Sequence, residues 1–100
     1  MTITRIEIDN YPKKEYEVTI NGVVYTILIS YMPVDGVHNW YFSLSSDDEV
    51  ITSGRRIKTS IPLVPSTLIS GNFYAMPLSA NVDLGEEPWG NTHFLGFLDD

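Results

Sequence analysis

The residues with the chemistry to act as nucleophiles, bases or metal ligands are few and poorly spaced for it. Two histidines, His38 and His93, lie far apart, and the chain has no cysteine. Neither a His-x-x-x-His pair nor a His-Glu spacing occurs, so no zinc or catalytic histidine pattern is present. Ser53-Gly54 and Ser70-Gly71 lack the Gly-x-Ser-x-Gly context of a nucleophile elbow. Asp47-Asp48-Glu49 offers the oxygen ligands that calcium prefers, without the spacing of an EF-hand loop, and reads as a solvated turn. Glu86-Glu87 reads the same way. Gly22, Gly36, Gly54 and Gly71 are too scattered to cradle a phosphate. The expectation is a protein that is not an enzyme, with no metal, no cofactor and no small-molecule substrate.

Binding is a better use of this composition. Six Tyr, four Phe and two Trp in 100 residues exceed what a core of this size must contain, and Trp, Tyr and Met are enriched at protein interfaces. Trp89 falls in a loop with Pro88 and Gly90 and is the aromatic least obviously claimed by a core. Tyr74, Met76, Phe94 and Phe97 straddle both faces of their strands. These five residues are the partner-interface candidates. For the four strand residues ordinary core packing is the competing and favoured reading; for Trp89 neither reading leads. An alternative function is a small β-domain that binds a carbohydrate or other small ligand through Trp89, Trp40 and tyrosines.

The charge balance narrows the partners. The formal net charge is −7, and all six basic residues precede position 59. A nucleic-acid binder needs a basic stripe to displace counterions from phosphate, so neither nucleic acid nor an anionic membrane is expected. Arg55-Arg56-Ile57-Lys58 is the basic cluster, and it reads as the solvated face of a strand rather than a binding patch, because alternation places Arg56 and Lys58 together on one side. No apolar run approaches the length of a membrane span, and the first residues do not resemble a secretion signal. The absence of cysteine excludes a disulfide framework.

These side chains must be positioned by β-structure. Asn21-Gly22 between runs of β-branched and aromatic residues predicts a two-residue type I′ hairpin. That turn pairs Ile20 with Val23, Val18 with Tyr25 and Tyr16 with Ile27, putting six apolar or aromatic side chains on one face. Val24, Leu28 and Met32 make the opposite face partly apolar, so part of the second strand is expected to be covered on both sides. Alternation predicts strands at Ile3–Ile8, at Trp40–Ser45 and from Val50 to Ser53, the last bent at Gly54 and continuing to Thr59. Asp35-Gly36 tips a further turn. Beyond residue 59, Pro62 and Pro65 punctuate a connection, Ser66–Ser70 suggests a short helical turn, and Phe73–Met76 and Thr92–Leu98 read as strands. Residues 81–91 form an acidic loop, and Asp99 and Asp100 are expected to be exposed. The predicted fold is all-β: one domain over 1–100, a small antiparallel barrel or sandwich. It is built on a regular meander over 1–59, with an irregular part over 60–100.

The order of these features resembles the small baseplate plug proteins of contractile-tailed bacteriophages, including the cyanophage type. It is carried by Tyr16-Glu17-Val18-Thr19-Ile20, the Asn-Gly turn, Val24-Tyr25-Thr26-Ile27-Leu28, Trp40-Tyr41-Phe42-Ser43-Leu44 with its acidic turn, the strand containing Gly54, and Leu68-Ile69. The resemblance implies a structural virion protein of the tail baseplate, synthesised in the host cytoplasm. Its partners would be the baseplate hub, the spike and neighbouring tail subunits, with several copies around the tail axis. The irregular second half would then serve as a docking arm ordered by its neighbours.

Overall fold

The computed structural model describes residues 2–65, 71–78 and 83–99. Seven strands occur among them: β1 (Thr2–Ile6), β2 (Lys13–Ile20), β3 (Val23–Tyr31), β4 (Trp40–Ser46), β5 (Glu49–Arg56), β6 (Asn72–Pro77) and β7 (His93–Asp99). They form two antiparallel sheets, one in the order β2-β3-β4-β5 and one in the order β1-β7-β6. The fold is therefore the expected all-β one, a sandwich rather than a closed barrel. The suggested helical turn at Ser66–Ser70 and the terminal Asp100 lie outside the described residues.

The first sheet is a meander whose registers follow from tight turns. Asn21 and Gly22 adopt φ of 52° and 79°, the two positive values that a type I′ turn demands. The resulting pairs are Ile20–Val23, Val18–Tyr25 and Tyr16–Ile27. Val23, although in the apolar phase, is 41% exposed at the hairpin tip. The opposite face of β3 is not covered as expected: Val24 is 44% exposed, Leu28 half-buried, and Met32, beyond the end of the strand, open to solvent. That face looks outward because the facing sheet packs on the Tyr25, Ile27 and Ile29 side.

The β4–β5 turn uses a costlier residue pair for the same geometry. Asp47 and Asp48 both sit at positive φ, 52° and 61°, where an L-residue with a Cβ is strained by about 1–2 kcal/mol, less for Asp. Replacing Asp48 with Gly is expected to raise stability by about 1 kcal/mol, read as a higher urea midpoint with unchanged slope. Along β5 the register shifts twice. Gly54, at φ 62°, donates its N–H to the Ser43 hydroxyl at 2.9 Å instead of to a strand partner, which is the bend expected there.

Beyond β5 the chain changes sheets. The Ile57 N–H still bonds the Trp40 carbonyl, while the Ser60 and Leu63 N–H groups bond the Ala75 and Phe73 carbonyls of β6. β5 carries the predicted strand as far as Arg56, its predicted continuation over 57–59 is a corner between the sheets, and Thr59 makes a parallel bridge to Ala75. One contiguous core results, drawing Tyr25, Ile27, Ile29, Phe42 and Leu44 from one sheet and Phe73, Ala75, Leu95 and Phe97 from the other. The second half belongs to this core: eight of its seventeen buried apolar residues, from Leu63 to Phe97, lie beyond residue 59. Asp99, expected to be exposed, is half-buried and accepts a hydrogen bond from the Asn21 side-chain amide at 2.7 Å.

Candidate interaction face

Strand alternation assigns each predicted interface residue to one side of β6 or β7. In β7, Leu95 and Phe97 point inward, fully buried, and Phe94, Gly96 and Leu98 point outward. In β6, Phe73 and Ala75 point inward and Tyr74 and Met76 outward. The pairs Met76–Phe94, Tyr74–Gly96 and Asn72–Leu98 set these residues side by side, and β1 adds Arg5 opposite Gly96 and Ile3 opposite Leu98. Tyr74, Met76 and Phe94 therefore converge on one face, joined by Leu98 and by Ile3, which is 54% exposed.

Gly96 makes this face a trough. A Cβ there would stand 3.1 Å from the Phe94 ring and 3.3 Å from the Met76 sulfur, so those two side chains lie over the glycine as its cover. A concavity of about 420 Å³ opens beside them, lined by Ser60, Tyr74, Met76, Pro77, Phe94 and Leu98. Arg5 is the cation on this face, and it is held over the Phe94 ring at 5.0 Å, a geometry in which the ring quadrupole offsets some of its charge.

The other sheet presents a different exterior. Outward positions there include Glu15, Glu17, Thr19, Thr26, Ser43 and Ser45, with apolar Val24, Leu28 and Val50 among them. A sheet facing water alternates in this polar manner. The apolar exterior of β1-β7-β6 departs from it in the way an interaction face does.

Two of the five candidates are elsewhere. Phe97 is 1% exposed, edge-on to Phe73 at 5.0 Å. Trp89 is 3% exposed, T-shaped on Trp40 at 5.8 Å. Its loop is drawn inward because the Asn10 side chain bonds both the Trp89 N–H and C=O, each at 2.9 Å, doing for one residue what a neighbouring strand would do. Trp40 is also buried and donates its indole N–H to the Gly85 carbonyl. Neither tryptophan can stack on a sugar, which removes the platform of the carbohydrate-binding alternative.

The histidines have structural partners. His93 is fully buried, with Thr59 Oγ1 and Thr92 Oγ1 each 2.8 Å from a ring nitrogen. His38 lies 2.6 Å from the Tyr31 hydroxyl and stacks on that ring. Among the described residues no group of three or more acidic or histidine side chains is placed to hold a metal. Arg56 and Lys58 of the basic cluster border a concavity of about 600 Å³ with Val37, Ile61 and Asp83. Sequence reasoning missed Ile3, Arg5, Gly96 and Leu98, which join the face only through the pairing of β1 with β7.

A search of curated proteins finds no match. The family model described as "Cyanophage baseplate Pam3 plug gp18" matches residues 3–100. That is nearly the whole chain, both sheets included, and the chain belongs to this family of baseplate plug proteins.

Proposed function

We propose that the protein is a structural, non-catalytic component of the tail baseplate that seats the outer face of its β1-β7-β6 sheet against the hub or spike near the tail axis, in several copies. The observation that carries this reading is the contrast between the two sheet exteriors, one with scattered apolar residues among polar ones and one continuously apolar around Phe94, Met76, Tyr74 and Leu98. Family membership supports a place in the virion tail. The acidic second half and the absence of a basic stripe favour protein rather than nucleic acid as the partner. Interfaces draw most of their energy from a few central aromatic or aliphatic anchors, and Phe94 with Met76 has the central position here.

The test is binding of the purified baseplate hub and spike proteins to wild type and to a Met76→Glu, Leu98→Glu double variant. Both side chains are half-buried on an outward face, so the fold should survive with a Tm loss of a few degrees. Binding should weaken by about a hundredfold, as expected when charge replaces two anchors worth over 1 kcal/mol each. Undiminished binding by a folded double variant would place the interface on another surface.

A further inference from the structure

A sheet of open strands must dispose of its edges, and two of the four edges here are protected, each in its own way. The free side of β5 is broken by two register shifts and the Gly54 bend. That of β6 is covered by Thr59–Leu63, whose N–H groups bond its carbonyls. The remaining edges, β1 and β2, face each other without pairing. Their Cα atoms almost nowhere approach within 8 Å, whereas paired antiparallel strands stand about 4.5–5.5 Å apart. A cleft of about 350 Å³ runs between them, bounded by Thr4–Glu7 on one side and Tyr16–Ile20 on the other.

The hairpin turn shows which backbone groups this leaves open. A type I′ turn makes Ile20–Val23 a hydrogen-bonded pair, so Val18–Tyr25 and Tyr16–Ile27 are bonded pairs as well. The Tyr31 N–H to Pro12 C=O bond continues the series. The N–H and C=O groups of Glu15, Glu17 and Thr19 therefore point away from β3 and into the cleft, with no backbone partner among the described residues. Both ends of the cleft are tied: the Asn21 amide to Asp99 at one, and the Asp9 N–H to the Tyr16 hydroxyl at the other.

We infer that this seam receives an extended strand from a different polypeptide, which pairs antiparallel with β2 and fills the gap between the two sheets. Backbone pairing supplies the affinity in such strand addition, and alternate side chains supply the selectivity. Inward-facing residues of the incoming strand would meet Ile6, Val18 and Ile20, whereas outward-facing ones would flank Glu15 and Glu17. The occupant is therefore apolar in one phase and basic in the other, opposite charges being the favoured cross-strand pairs.

The probe is a short acetylated and amidated peptide of alternating Val and Lys, followed by amide hydrogen exchange and by titration. At saturation the amides of Glu15, Glu17 and Thr19 should become protected. Alternating Val and Glu should bind about tenfold more weakly, the sum of a few cross-strand charge terms. Glu17→Pro removes a donor that β3 does not use, at an edge position where proline is tolerated. It should keep its unfolding midpoint within a few degrees and lose the peptide. Unprotected amides at saturation, or equal binding by a folded Glu17→Pro variant, would overturn the proposal. So would protection of the same amides by the protein alone as its concentration rises, because a second copy would then fill the seam.

Discussion

Phe73→Ala is expected to unfold the protein more readily than any other single truncation, lowering stability by about 3–5 kcal/mol. Phe73 lies on β6, is fully buried, and sits centrally between the sheets. Its ring meets Phe97 of its own sheet at 5.0 Å and, across the core, Phe42 of β4 at 5.5 Å and Tyr25 of β3 at 5.8 Å. Three aromatic neighbours from three strands cannot all collapse into the vacated space, so the cavity term adds to the lost transfer energy. A domain of this size has a total stability of roughly 5–15 kcal/mol. The loss should therefore appear as a fall in Tm of roughly 15–25 °C, and the least stable preparations would fail to fold. Urea unfolding checks it: the midpoint should drop with the slope unchanged. Phe73→Leu, closer in volume, should cost about half as much. A truncation that costs under 1 kcal/mol would mean that the two sheets do not depend on this ring.

The contrast between Phe73 and its chain neighbour Tyr74 shows what the sequence can and cannot disclose. Period-two alternation is local, so Trp40, Phe42 and Leu44 declare a common face and so do Tyr25, Ile27 and Ile29. The Asn21-Gly22 turn then locks their relative register. In β7 both phases are apolar: Leu95 and Phe97 alternate with Phe94 and Leu98. Periodicity cannot say which phase is the core, and Phe97 and Phe94 look alike until β7 is flanked by β1 and β6. The pairing of β1 with β7 joins opposite ends of the chain and has no local signature. Neither has the Asn10 clamp on Trp89, which spans 79 positions. The candidate face was legible as residue types but not as a surface, because its assembly is entirely non-local. The seam beside β2 was not legible at all, since an unpaired edge is defined by the strand that does not come.

Asn72→Ala should be the most damaging loss of a polar side chain, about 3 kcal/mol, although it deletes only a small group. Asn72 opens β6 and is 7% exposed. Its Oδ1 accepts the N–H groups of Val64 and Phe73 at 3.0 and 2.8 Å, and its Nδ2 donates to the Val64 carbonyl at 2.7 Å. The side chain thus imitates a strand for Val64, binding both of its backbone groups where the chain leaves the β6 edge. Alanine would leave three buried backbone groups unsatisfied, each costing about 1–3 kcal/mol before water reaches some of them. Relief would require Leu63 and Val64, now fully buried, to move toward solvent, which trades a polar cost for an apolar one. The expected result is a Tm lower by roughly 15 °C, together with faster exchange of the Val64 and Leu63 amides than global unfolding explains. If those amides exchange no faster than the rest of the core, the segment from Thr59 to Val64 is held by its apolar contacts, and the amide clamp is incidental to it.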